Sequence, residues 1–231
     1  MRIAAVLVPI LFLLPDASAY APPAGFVLGR VLKDRKGLKS LEWTARVTDP
    51  RTSTTFKEML RVDFGSGRFI ATYSTVSDEP LGSHSGDLAG LSRSGRFWLG
   101  VGLDPSATRF KAALSALGVL PEEGQESKLL RIGQQPAWGW GESPRVLFTK
   151  DDCRPLAYVA EGSPEESIRF DAFSLSGNAL QVPKSVRILK GPVEQFRFEL
   201  RSVKTEVQGK SVLTDHPIEN PAVREWVSLV R

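Results

Sequence analysis

The alternation of apolar and polar residues changes period several times along the chain. Ile3 to Leu14 is wholly apolar and carries one helix breaker, Pro9. It follows the basic pair Met1-Arg2 and precedes the small-residue stretch Ala17-Ser18-Ala19. This is the layout of a cleavable secretory signal peptide over residues 1–19, cut before Tyr20. A membrane span needs about 20 apolar residues, and this run has 12. From Ala24 to Lys36, Val27/Val31 and Leu28/Leu32 repeat at helical spacing, and Gly37 marks the end. The period then drops to two. Leu41, Trp43, Ala45 and Val47 alternate with Glu42, Thr44, Arg46 and Thr48, as in a strand with one apolar face. Turn residues at 49–53 lead to a second alternating run, Met59 to Phe64. Gly65-Ser66-Gly67 leads to a third, through Phe69, Ala71 and Tyr73.

Ser77 to Gly95 is polar and Gly-rich, and reads as loop with a weak strand at Leu88 to Leu91. Arg96 to Leu103 reads as a strand, and Asp104-Pro105 as the cap and first residue of a helix that ends at Gly118. From Leu129 the pattern is β again. It predicts strands at Leu129 to Ile132, Ala137 to Gly141, Arg145 to Thr149, Leu156 to Glu161, Ser167 to Ser174, Ala179 to Leu189, Glu194 to Thr205 and Ser211 to Thr214. Pro221 to Arg231 predicts a short helix that packs Val223, Trp226 and Val230. The predicted fold class is α+β, mainly β: one domain over 20–231, with a C-terminal extension at 211–231. A large antiparallel sheet with one wet face needs its other face covered, and few helices are available. A strongly curved sheet wrapped around them satisfies both conditions and leaves an apolar hollow between helix and sheet.

Composition narrows the function classes. The single cysteine, Cys153, excludes an internal disulfide. The net charge of +4 comes from dispersed basic residues, which is not a nucleic-acid footprint. The chain reads as unanchored, since no cysteine follows the apolar leader and no later segment is long enough to span a membrane, and a monomer is expected. The two histidines, His84 and His216, lack convergent ligands for a metal. Ser83-His84-Ser85 lacks a nucleophile elbow. Gly65-Ser66-Gly67-Arg68 lacks the residues of a phosphate loop. The carboxylate pairs at 122–123, 151–152 and 165–166 sit side by side in turns, without the separation across a pocket that acid–base pairs need. No enzyme, metal or cofactor is expected. The β segments are instead rich in aromatic residues, and a hollow lined by them suits acyl chains, which gain about 0.8 kcal/mol per buried CH₂.

Two stretches carry a family resemblance. Gly37 to Asp49 runs from a first helix through Ser40-Leu41-Glu42-Trp43-Thr44-Ala45-Arg46-Val47 into a Thr-Asp turn, and Gly177 to Ile188 contains Pro183-Lys184-Ser185-Val186 ahead of the charged alternating strand Phe196 to Lys204. Arg145 to Tyr158 adds a strand, an acidic turn and a Pro-Leu restart. This order resembles the periplasmic lipoprotein carriers of the LolA family, over roughly residues 26–207. The resemblance implies an incomplete barrel with helices in its mouth and lipid or lipoprotein acyl chains bound between them. It also implies partners in an inner-membrane release complex and an outer-membrane acceptor. On this reading Leu41, Trp43, Leu60, Val62, Phe69, Tyr73, Phe97, Trp138, Phe148, Tyr158, Phe170, Phe196 and Phe198 line the cavity. Arg68, with Arg61 second, matches the family's lid-holding arginine. The Asp49 to Thr55 loop has no exposed leucine, which favours a shuttle over a membrane-inserting acceptor. The alternative is an envelope binding or sensing module on the same scaffold that recognises a protein.

Overall fold

The first alternating run forms β1 (Ser40–Asp49) in the predicted phase, with Leu41, Trp43, Ala45 and Val47 buried. The computed structural model describes residues 21–162, 164–175, 180–207 and 215–231. The signal peptide and the expected strand at Ser211 to Thr214 lie outside the described residues. Before β1 comes α1 (Ala24–Lys33), which buries Ala24, Val27, Leu28 and Val31. After it come β2 (Thr54–Asp63), β3 (Arg68–Ser74) and β4 (Pro80–Asp87), each paired antiparallel with its predecessor.

The chain then becomes helical. A 3-10 turn at Leu88–Gly90 leads to α2 (93–101), which is α-helical over Arg93–Gly95 and π-helical over Arg96–Val101. α3 (Ala107–Ala116) follows. The remaining strands are β5 (Lys128–Ile132), β6 (Gln135–Gly141), β7 (Arg145–Thr149), β8 (Pro155–Val159), β9 (Glu166–Leu175), β10 (Gln181–Lys190) and β11 (Val193–Thr205). The chain closes with α4 (Pro221–Val230).

All eleven strands form one antiparallel sheet in the order β4-β3-β2-β1-β11-β10-β9-β8-β7-β6-β5. Two meanders, β1–β4 and β5–β11, are sewn together where β1 pairs with β11, Val47 opposite Phe198. β4 and β5 form the two edges, so the barrel is incomplete. The segment joining them must pass from one edge to the other. It does so across the inner face, where α2 buries Phe97, Trp98, Leu99 and Val101 completely.

Three expectations are corrected here. Residues 80–87 are a strand, and Leu88 to Leu91 is not. The sequence Leu81-Gly82-Ser83-His84-Ser85-Gly86 offers no apolar alternation because this edge strand has little to bury. Arg96 to Leu103 is helical, not extended. A helix enclosed on all sides is apolar on all sides and shows no 3.6-residue stripe. Its Gly100 permits close approach to α3, since a Cβ there would lie 2.9 Å from that of Ala113. α3 is capped by Ser106, whose hydroxyl accepts from the Arg109 N–H at 3.3 Å, and not by Asp104. Asp104 is buried and accepts from the Arg109 side chain at 2.7 Å.

Candidate functional site

All of the residues expected to line a hollow are buried on the inner side of the molecule. Leu41 and Trp43 come from β1, Leu60 and Val62 from β2, and Phe69 and Tyr73 from β3. Trp138, Phe148, Tyr158 and Phe170 come from β6 to β9, and Phe196 and Phe198 from β11. Phe97 is the exception in placement: it belongs to α2, where it lies 5.9 Å from Tyr158 and 5.2 Å from Phe170, ring centre to ring centre. The hollow expected behind Trp43 and Phe198 is filled by the chain itself. Trp98 stacks on Trp43 at 5.3 Å and meets Phe198 edge-on at 4.5 Å. Trp226 of α4 lies 5.7 Å from Trp98 and 5.5 Å from Phe196. The reason is topological: the crossover between the sheet edges and the returning C-terminal segment both lay aromatic side chains on this face.

One polar residue sits in this apolar surface. Glu58 occupies the inward position between Phe56 and Leu60 on β2 and is fully buried. Its carboxylate accepts from Trp43 Nε1 at 3.2 Å, Trp226 Nε1 at 2.6 Å and Arg231 Nη2 at 3.0 Å. The Arg231 side chain is itself fully buried, with its guanidinium 5.6 Å from the Phe69 ring centre and 5.8 Å from that of Trp98. Tyr73 is the cross-strand neighbour of Glu58. Burial, reinforced by the Glu58 charge, pushes its phenol well above the ordinary value. Two buried donors around this point have no hydrogen-bond partner, Trp98 Nε1 and Arg231 Nε; the Tyr73 hydroxyl faces Glu58 and Arg231.

Each helix is tied down by an arginine that sequence reasoning did not single out. Arg35, just after α1, donates to the Val101 carbonyl of α2 at 2.7 Å. Burial pushes its pKa down to about 9, so it stays charged at neutral pH. Arg109 of α3 donates to the Phe64 carbonyl in the β2–β3 turn at 2.5 Å. Arg231 ties α4 to Glu58. Arg68, expected to hold the lid, points elsewhere: it is half exposed and lies 3.7 Å from Asp87 across the β3–β4 pair. Arg61 donates to the Val207 carbonyl at 3.4 Å. The signal for the true ties was faint, because an isolated arginine near a helix end reads as solvated charge.

α4 reaches the inner face by way of a strap along the β4 edge. Ser83 N–H donates to the His216 carbonyl at 3.2 Å, and His216 N–H donates to the Ser83 hydroxyl at 2.9 Å. Gly82, at φ +120°, lets the strap pass: a Cβ there would lie 2.6 Å from the Pro217 carbonyl oxygen. Asn220 caps α4 by accepting from the Ala222 and Val223 N–H groups, with Pro221 in the first turn. At the far end, the Ser92 hydroxyl donates to the Leu229 carbonyl at 2.5 Å.

On the opposite face, a groove of about 840 Å³ runs over β1–β3 between Arg46, Lys57, Met59, Thr72, Val76 and Arg201. Among the described residues no three His, Cys, Asp or Glu side chains converge as metal ligands. No described helix is long and apolar enough to cross a membrane. Cys153 is buried, which pushes its thiol pKa up.

Neither a family model nor a curated protein matches this sequence. Solved structures do match. A domain from Vibrio parahaemolyticus, named for outer membrane lipoprotein sorting, aligns with a TM-score of 0.50 at 8% identity, covering 88% of this chain and 97% of that one. A DUF1329 family protein from Desulfovibrio piger aligns with a TM-score of 0.40 at 11% identity, over 81% of this chain and 95% of that one. The Pseudomonas aeruginosa MucA/MucB complex gives a TM-score of 0.34 at 12% identity, over 80% of this chain and 58% of that one. The open antiparallel sheet enclosing helices on its inner face is thus a LolA-like fold, shared with the Vibrio lipoprotein-sorting domain.

Proposed function

We propose that this protein is a soluble periplasmic carrier that holds acyl chains of lipoproteins or other lipids between the sheet and its helices. The observation that carries this reading is the apolar inner face, which runs across the sheet from β3 through β1, β11 and β9 to β6 and is closed by helices held at a few discrete polar ties. Such a closed form opens by breaking a small number of hydrogen bonds. Removing a buried Trp from a core costs about 3–5 kcal/mol. An acyl chain regains that with roughly four to six CH₂ groups, each worth about 0.8 kcal/mol. Chains of ordinary lipid length therefore match the apolar part of what displacing Trp226 costs. Lipid extraction and mass spectrometry of the purified protein, followed by titration with a fluorescent fatty-acyl probe, test the reading. It predicts bound or bindable acyl chains, and fails if there are neither.

A second reading is an envelope module that binds a protein partner. What favours it is that α4 is itself an amphipathic helix seated on the inner face through Val223, Trp226 and Val230. A partner that copurifies at fixed stoichiometry while the inner face stays closed would support it over the carrier.

A further inference from the structure

The inner face asks for a particular head group as well as for hydrocarbon. Glu58 is a fully buried carboxylate with three donors. Only one of them, Trp43, belongs to the sheet. The other two, Trp226 and Arg231, arrive with α4, and Arg231 brings the only positive charge paired with Glu58 among the described residues. Any ligand that lifts α4 away therefore leaves a carboxylate in an apolar pocket with neutral donors alone, the Trp43 N–H and the neighbouring Tyr73 hydroxyl. A buried charge in that condition is strongly unfavourable unless it is paired again. Hydrocarbon alone makes good the apolar loss and leaves the electrostatic one.

We propose that the ligand seated under α4 is an acyl amphiphile bearing an ammonium or guanidinium group, which takes the place of Arg231 on Glu58. α4 is then the resident stand-in for that ligand: Trp226 and Val223 fill the place of its chain and Arg231 that of its head. An unpartnered donor fits the same picture. Trp98 Nε1 is buried beside the pair without an acceptor, and it stays behind when α4 leaves. An ester or amide carbonyl next to the cationic head gives it one.

This inference rests on the carrier reading, and the test separates the two. Calorimetric titrations compare dodecylammonium, dodecanol and dodecanoate, all below their micelle concentrations. The chain's net charge of +4 favours the carboxylate non-specifically, so a preference for ammonium runs against the background. The expected result is that dodecylammonium binds at least about tenfold more tightly than the other two, a difference well resolved in binding free energy. Glu58→Gln abolishes that preference. Arg231→Met removes the internal competitor and widens the preference for dodecylammonium over dodecanol, whereas general loosening of α4 tightens all three amphiphiles alike. Circular dichroism confirms that each variant is folded, and if Glu58→Gln is not, the head-group series and Arg231→Met still decide. Equal binding of all three amphiphiles overturns the head-group assignment and leaves the carrier standing. An ammonium preference that survives in folded Glu58→Gln also overturns it. Binding of none of them overturns both.

Discussion

Trp226 and Glu58 are separated by 168 positions in the sequence, and the indole N–H of the first donates to the carboxylate of the second at 2.6 Å. This bond fixes α4 on the inner face from within the core. Trp226→Ala removes both the bond and the ring, and about 3–5 kcal/mol of stability should be lost with it. Trp226→Phe keeps most of the volume and should cost about 1–3 kcal/mol, the price of one unsatisfied buried acceptor bond. Denaturant titrations of both variants separate the packing contribution from the polar one.

The strap makes its own prediction. Gly82 combines a positive φ with close contact to Pro217 and Ile218. Gly82→Ala should loosen the strap and cost about 1–3 kcal/mol, as overpacking does elsewhere. Hydrogen exchange should then speed up over 215–231 while β9–β11 stay protected. Uniform loss of protection would contradict the role given to this contact.

Strand phases were legible in the sequence because the sheet has one buried face. Phe196 and Phe198 against Arg197 and Glu199 state it directly. α4 was legible for the same reason: Val223, Trp226 and Val230 are the residues it buries. What the pattern hid has a physical cause in each case. α2 is enclosed, so it shows no stripe. β4 carries small and polar residues because the strap lies along its edge. Glu58 puts a charge at an inward position and breaks the alternation before Met59, so the pattern starts β2 at Met59 although the strand begins at Thr54. The fold was therefore mostly readable, while the polar centre of the candidate site was not. It depends on long-range partners that no local pattern encodes.

His84 gives the strap region a pH dependence. It is half buried on β4, with its ring 5.8 Å from Phe69 and with Asp215 and Arg231 as the charges that act on it. Burial holds its pKa below the ordinary value of 6.5, Arg231 adds to this, and Asp215 opposes it. The unfolded chain therefore binds more protons as the pH falls below about 6.5, so stability rises with pH through that window. Melting temperature should drop on acidification from neutrality, and His84→Gln should flatten part of that slope. An unchanged slope in His84→Gln would assign the acid sensitivity to other groups.

The central claim is that acyl chains enter between the sheet and its helices. It is tested most directly by photocrosslinking with a fatty-acyl probe whose chain end carries a diazirine, followed by peptide mapping. Adducts are expected on inner-face peptides of β1, β11 and α2, around Trp43, Phe198 and Trp98. Adducts confined to the outer groove around Met59 and Val76, or no adducts at saturating probe, would contradict it.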